Sequence, residues 1–138
     1  MSIARELLAA YEATDYLVTA HSVVIARPGE RSDAIDGLLA EAGVRMAAVL
    51  TAWNPFSTET IPAENARAQA QLCARIDALG LRRLPAEGRG RDGAWPPEES
   101  ICVLGIALDE ARHLAAEFRQ NAILWLESGL PARVVVTR

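Results

Sequence analysis

The sequence contains no lysine, and all 14 of its permanently charged basic side chains are arginine. This absence excludes a Schiff-base lysine, a lysine that anchors pyridoxal phosphate and the lysine of a Walker-type phosphate loop. Histidine and cysteine occur only twice each, and their positions do not have the spacing of metal ligands. The sequence therefore predicts neither a bound metal nor a cofactor.

The chain also lacks an excess of positive charge and any long apolar run. Its formal net charge of −4 gives no general reason to bind nucleic acid or an anionic membrane. No stretch approaches the roughly 18 consecutive apolar residues of a membrane span. Arg5 and Glu6 interrupt the first apolar run, unlike a signal peptide. We expect a cytoplasmic protein without membrane contact, and the alanine- and arginine-rich composition indicates a bacterial source.

Apolar side chains make up 51% of the 138 residues, enough for one core, so we expect a single domain over residues 1–138. Periodicity and turn residues predict the positions of helices and strands. The predicted helices are 2–13, 33–42, 62–79 and one from 109, and the predicted strands are 16–26, 44–53, 81–86, 101–107, 121–127 and 133–137. The glycine-, proline- and charge-rich segment 87–99 is predicted to be a long loop.

The order of these elements from residue 44 to 127 is strand, helix, strand, strand, helix, strand, which is the ferredoxin-like pattern. We therefore expect an α+β fold with a ferredoxin-like (βαββαβ) core, a mixed sheet and helices on one face. An N-terminal helix and strand and a C-terminal strand would extend this core. The two most uniformly apolar strands, 44–53 and 101–107, are expected to be central and parallel.

Polar side chains cluster where the first central strand ends. Thr51 lies near the end of this strand, Asn54 and Ser57 follow it, and Asn65 lies in the first turn of the next helix. Such residues either bind a small polar ligand or form turns and caps. Gln120 and Asn121 precede the strand expected to pair antiparallel with the first central strand, so we expect them beside Thr51 and Asn54 in an amide-lined site.

The segment from Trp95 to Ser100 offers an indole surface for stacking and two adjacent carboxylates. Adjacent residues of an extended chain point to opposite sides, so only one glutamate is expected to face inward. We take Glu99 as the candidate general acid or base. With parallel central strands this segment would start at the far end of the sheet, so its proximity to Asn54 stays open.

A second polar group contains Arg82, Arg83, Arg89 and Arg91. Four guanidinium groups within ten residues would suit a phosphate or carboxylate. A solvated charged surface is the alternative, because Glu87 and Asp92 dilute the positive charge. Cys73 and Cys102 lie in apolar segments, where thiols are unreactive.

The sequence around several of these residues resembles a small bacterial family known only as domain of unknown function 3293. The resemblance spans roughly residues 11–125. It rests on four blocks: Thr14-x-Tyr16; Thr51-Ala52-Trp53-Asn54-Pro55-x-Ser57 with Asn65; Trp95-x-x-Glu98-Glu99-Ser100 with Gly105; and Phe118-x-Gln120-Asn121-Ala122-Ile123. It implies a shared fold and a shared site, and it supplies no activity, cofactor or catalytic residue.

Two functions are compatible with these patterns. The first is binding, with or without turnover, of a small polar or anionic metabolite at the amide-lined site. The second is a non-enzymatic protein–protein interaction or regulatory module that pairs through the apolar C-terminal strand Val134–Val136, and a homodimer would fit it. The pattern leaves open whether the protein is an enzyme and which ligand it binds.

Overall fold

The computed structural model describes residues 4–93 and 95–137, which form four helices and seven strands. In chain order these are α1 (Arg5–Glu12), β1 (Thr14–Thr19), β2 (Val23–Ala26), α2 (Asp33–Ala42), β3 (Met46–Leu50), α3 (Pro62–Ala78), β4 (Arg82–Gly90), β5 (Glu98–Leu104), α4 (Leu108–Glu117), β6 (Ala122–Glu127) and β7 (Arg133–Val136). A short 3₁₀ turn, Pro55–Ser57, lies between β3 and α3. None of the described helices is both long and apolar enough to cross a membrane.

The strands form one curled sheet in the order β2-β1-β4-β5-β3-β6-β7, so the fold is α+β, as predicted. Strands β3 and β5 are neighbours at its centre, also as predicted, but they are antiparallel. The six pairings of the named strands are all antiparallel, so the expected mixed sheet is wrong. The connections explain why β3 and β5 are antiparallel. The crossover through α3 returns the chain so that β4 runs in the same direction as β3, and the turn after β4 makes β5 run in the opposite direction. The ferredoxin-like assignment stays a prediction.

Helices cover both faces of the sheet, which corrects the expectation that they lie on one face. Side chains from α3 and α4 pack in one apolar cluster, and side chains from α2 pack in another on the opposite face. Strands β3 and β5 contribute alternate residues to each cluster, which explains their unbroken apolar sequence. The first cluster takes Ala48, Leu50, Ile101 and Val103, and the second takes Ala47, Val49, Cys102 and Leu104.

Two segments fold differently from their predictions. The predicted strand 16–26 is a hairpin, because the chain turns at residues 20–22 between β1 and β2. Both ends of the predicted loop 87–99 are strand, since β4 continues to Gly90 and pairs with both β1 and β5, and β5 begins at Glu98. Its glycines are stabilised in a strand by pairing on both sides, and a Cβ at Gly88 would meet the Tyr16 ring at an ordinary contact distance of 3.7 Å.

The curl of the sheet brings the segments beyond its two outer strands together. Pro28, just after β2, forms a bridge to Ala132, just before β7, and the Gly29 N–H donates to the Ala132 carbonyl at 2.7 Å. Strand β7, which contains Val134–Val136, is an outer strand whose neighbour in the sheet order is β6.

Replacement of glycine by alanine is expected to have opposite effects on stability at two positions. Gly105 has a φ of +76°, and a Cβ there would lie 3.2 Å from Cγ1 of Val44. Gly37 lies inside α2 with open space around it. We therefore expect Gly105→Ala to destabilise the protein by about 1–2 kcal/mol and Gly37→Ala to stabilise it by about 0.5–1 kcal/mol, measured by urea unfolding. Equal effects of the two substitutions would contradict the assigned backbone conformations.

Candidate functional site

A cavity of about 100 Å³ opens at the end of the sheet where β3 ends and β5 and β6 begin. Residues of α1, β1, β4 and the loop after β3 complete its wall. Its polar and aromatic lining consists of Tyr11, Thr14, Tyr16, Thr51, Trp53, Asn54, Ser57, Trp95, Glu98, Ser100 and Gln120, and the remainder is mainly aliphatic or glycine. Because β3 and β5 are antiparallel, the start of β5 lies at this same end.

The loop that follows β3 has a strained backbone. Asn54, Phe56 and Ser57 all have left-handed φ values, of +47°, +54° and +61°. A left-handed residue other than glycine costs roughly 1–2 kcal/mol, with asparagine the best tolerated. Such strain persists only where surrounding contacts impose it, and it concentrates at functional sites.

Buried Asn65, on α3, holds Asn54 in this conformation. Its Oδ1 accepts the Asn54 N–H at 2.9 Å, and its Nδ2 donates to Asn54 Oδ1 at 3.0 Å. Asn54 Oδ1 also accepts the Thr60 N–H at 3.0 Å. The remaining polar group of the Asn54 side chain, its Nδ2, donates to Glu98 Oε2 at 2.8 Å. Asn65 thus fixes the loop from behind, while Asn54 lines the cavity.

Two further amides and a threonine fix the start of the loop. Gln69 accepts the Ala52 N–H at 2.9 Å, and Gln120 donates to the Trp53 carbonyl at 3.0 Å. The Thr51 hydroxyl donates to the backbone carbonyl of Glu99 at 2.7 Å. Buried amides with backbone partners hold a loop rigidly because each lost bond would leave an unpaired polar group.

Helix α1 closes the cavity and supplies a hydroxyl chain. The Tyr11 hydroxyl and Ser57 Oγ share a hydrogen bond of 2.9 Å, and Asn121 Nδ2 donates to Ser57 Oγ at 3.0 Å. Burial raises the pKa of Tyr11 above its usual value, so this phenol is neutral across the physiological range. Tyr11 is therefore a hydrogen-bonding group rather than a base.

Glu98 is the acidic residue of the cavity wall, which among the described lining residues contains no arginine or histidine. Glu98 is aligned with Gly88 and Tyr16 across three adjacent strands, since Tyr16 on β1 pairs with Gly88 on β4 and Gly88 pairs with Glu98 on β5. Because Gly88 has no side chain, it leaves space between the phenol ring and the carboxyl. Burial raises the pKa of Glu98, and the hydrogen bond from Asn54 partly offsets this increase.

Glu99, the glutamate selected from the sequence, does not face the cavity: its side chain is exposed. Alternation along β5 places Glu98 with Ser100 on the cavity face and Glu99 on the face that carries Ile101 and Val103. The carboxyl that contacts Asn54 is therefore the neighbouring one.

The structure brings most of the other predicted site residues together. Thr51, Asn54, Ser57, Trp95 and Gln120 line the cavity. Asn65 and Asn121 are buried behind it and bond to Asn54 and Ser57, respectively.

Sequence reasoning missed Tyr11, Tyr16, Trp53, Gly88 and Glu98, all of which line the cavity. Tyr16 belongs to the Thr14-x-Tyr16 block, and Trp53 and Glu98 belong to two others. Treating all four blocks of the family resemblance as one site would have identified these three.

The arginines proposed as an anion site are spread along β4 and its following turn, and they have partners. Arg83 pairs with Asp77, Arg89 with Glu87, and Arg91 with Asp15. Arg82 donates to the Ala42 carbonyl. Their positive charge is therefore used in surface contacts rather than directed at one ligand.

The structure gives little support to a catalytic nucleophile or a metal centre among the described residues. The backbone N–H groups of Phe56, Ser57 and Thr58 all donate to carbonyls, so this turn offers no free pair of donors for an oxyanion. Burial raises the pKa of the Cys102 thiol to about 12, which makes it inert. Among the described residues no three histidine, cysteine or acidic side chains converge on a metal position.

Glu98→Gln is expected to stabilise the protein at neutral pH. Because folding raises the pKa of Glu98, the folded state holds this proton more tightly, and stability falls as pH rises through the raised pKa. Glutamine keeps an acceptor for Asn54 without the buried charge. We expect a gain of about 1 kcal/mol at pH 7 that shrinks towards zero at pH 4, measured by urea unfolding.

The difference in stability between Glu98→Gln and the parent excludes the effects of acid on other carboxylates of the chain. Hydrogen bonds from Arg83 and Arg75 lower the pKa of Asp77 and Glu117, and these carboxylates are the same in both proteins. The neighbours Tyr11 and Tyr16 stay neutral over this range, because burial raises the pKa of both. A variant less stable than the parent at pH 7 would contradict the assignment.

Comparison with known proteins identifies a family but no activity. Neither a curated protein nor a solved structure matches the chain significantly. The family model described as "Protein of unknown function (DUF3293)" matches residues 50–123, which run from the last residue of β3 and include the strained loop, Glu98 and the Gln120-Asn121 pair. The match covers more than half of the chain, and the protein therefore belongs to the DUF3293 family.

Proposed function

We propose that this protein binds a small polar molecule in the cavity between Asn54 and Glu98. The observation that carries the proposal is a largely buried carboxyl without a cationic partner among the described lining residues. Asn54 occupies one oxygen of this carboxyl, and no described residue hydrogen-bonds the other, Oε1. A polar group buried with unused bonding capacity costs free energy, which a bound ligand would recover.

Three features support binding rather than a purely structural role. The loop that carries Asn54 stores backbone strain, and a network of buried amides holds it in place. The indole nitrogen of Trp53, a lining residue, is buried and makes no hydrogen bond with the described residues. Aromatic side chains around a few polar groups are typical of small-molecule sites.

The proposal changes two details of the expectation from the sequence. The cavity wall favours a neutral or cationic ligand over an anionic one, because its charged group is an acid. The acid–base role suggested for Glu99 passes to Glu98, whose raised pKa suits such a role. Most of the predicted amides support the loop instead of forming the inner wall.

We further propose that β3–β6 with α3 and α4 form a ferredoxin-like core, which the strand order β6-β3-β5-β4 supports. A location in the bacterial cytoplasm is likewise a proposal that rests on composition. The protein–protein interaction module is the alternative function, with β7 as the pairing strand because it is an outer strand of the sheet.

The test is a fragment screen by two-dimensional ¹⁵N–¹H NMR with a variant that fills the cavity. A Cβ at Gly88 would meet the Tyr16 ring at 3.7 Å, an ordinary contact, so Gly88→Val should fold and occupy the space between Tyr16 and Glu98. Glu87→Val, which introduces valine one residue earlier and on the other face of β4, is the matched control. Indole, benzylamine, benzyl alcohol and benzoate are the probes.

We expect at least one probe to shift the resonances of Asn54 and Ser100 in the parent and in Glu87→Val, and none to do so in Gly88→Val. Shifts that persist in Gly88→Val, or probes that leave these resonances unchanged in the parent, would contradict the proposed function.

A further inference from the structure

We infer that the ligand of this cavity is a small ammonium compound whose protonated nitrogen pairs with Glu98 Oε1. The inference rests on the proposed function and specifies the chemical class of its ligand. The charge, the aromatic lining and the size of the cavity support it.

The carboxyl of Glu98 lacks a cationic partner within the described chain. Within the described chain Glu98 forms no ion pair, whereas six arginines form ion pairs with other carboxylates. Buried carboxylates are normally paired with a cation, because the desolvation cost is otherwise uncompensated. The chain has no lysine, and the lining contains no arginine or histidine among its described residues. A cation from outside would therefore complete this pair.

The hydrogen-bond geometry favours an ammonium over a planar guanidinium group. Asn54 Nδ2 already donates to Glu98 Oε2 at 2.8 Å. A guanidinium group binds best when both carboxylate oxygens are free for a parallel pair of bonds. An ammonium nitrogen needs one strong acceptor, and Oε1 provides it. The Tyr11 and Ser57 hydroxyls also line the cavity, where they can accept further ammonium protons.

The aromatic lining also suits a cation. Tyr11, Tyr16, Trp53 and Trp95 all line the cavity, and Trp95 is 49% exposed, which places it at the mouth. Aromatic faces attract cations, and the attraction is stronger where water is excluded. The cavity volume of about 100 Å³ accommodates a head group of a few heavy atoms, with the rest of the ligand directed towards Trp95.

The test uses three probes that share a ring and differ in charge: benzylamine, benzyl alcohol and benzoate. We expect benzylamine to bind at least about tenfold more tightly than the other two, measured by NMR titration of the Asn54 and Gly88 resonances. Glu98→Gln should reduce benzylamine affinity about tenfold and leave benzyl alcohol affinity nearly unchanged. Glu99→Gln, which changes the exposed neighbour, is the matched control and should have no effect on either.

The outcomes separate this inference from the proposed function. Benzyl alcohol or benzoate binding in the cavity as tightly as benzylamine, with no effect of Glu98→Gln, would overturn the ammonium ligand and leave a small-molecule site. Failure of all three, and of indole as well, to shift cavity resonances in the parent would overturn both. If Glu98→Gln does not fold, the parent supplies the test, since benzylamine affinity must fall as acid protonates Glu98 while Tyr11 and Tyr16 stay neutral.

Discussion

Replacing Asn65 with leucine is expected to destabilise the protein by about 3 kcal/mol and to abolish probe binding in the cavity. Asn65 is 4% exposed and makes two hydrogen bonds with Asn54 and a third with the Thr60 carbonyl. Leucine fits the space approximately but leaves the Asn54 N–H without its partner. The strained loop then loses the contact that holds it, and Asn54 no longer orients Glu98. Urea unfolding and NMR titration with benzylamine measure the two effects.

A surface amide on the same helix provides the control. Gln71 is exposed on α3, and Gln71→Leu should change the stability by less than about 0.5 kcal/mol and leave binding intact. If Asn65→Leu were as stable as Gln71→Leu, the amide network would not be what holds the loop. If Asn65→Leu were unstable but bound benzylamine normally, Asn65 would have no role in positioning the site.

Leu124→Ala is expected to cost about 3 kcal/mol and to enlarge the cavity. Leu124 is fully buried on β6 and belongs to the apolar cluster that α2 covers, and it also lines the cavity. Removing its side chain creates space that joins the cavity rather than a closed void. We therefore expect larger ammonium probes, such as 1-naphthylmethylamine, to gain affinity relative to benzylamine, measured by NMR titration.

Leu126→Ala is a control that separates the loss of stability in Leu124→Ala from the enlargement of the cavity. Leu126 lies two residues further along β6 in the same cluster, with the same burial, and it does not line the cavity. Its truncation should cost a similar amount of stability and leave the preference between the two probes unchanged. A similar shift of preference in both variants would mean that Leu124 is not part of the cavity wall.

The sequence predicted most elements because their signals are local. Ser32 accepts the Ile35 N–H at the start of α2, and Gly43 ends that helix with a φ of +74°, as the cap residues indicated. The direction of β5 is not a local property, because it depends on a crossover and a turn taken together. The β4 extension was missed for a similar reason: its glycines and charges are stabilised in a strand by pairing with β1 and β5.

The site was predictable in part. Polar residues after β3 indicated the loop, and antiparallel pairing of β6 with β3 placed Gln120 near it. The choice between Glu98 and Glu99 required knowing on which face of β5 the cavity lies. That depends on how β1, β4 and α1 pack at this end of the sheet and is not a local property of the segment. The contribution of Tyr11 depends on how α1 docks, and that contact spans 46 residues of sequence.

The most direct test of the account is the pH titration of the Glu98 carboxyl, followed by ¹³C NMR with resonances assigned from Glu98→Gln. We expect a midpoint above the usual glutamate value, because the carboxyl is largely buried without a cation, and a lower midpoint when benzylamine is bound. A midpoint at or below the usual value in the free protein, unchanged by benzylamine, would contradict the account.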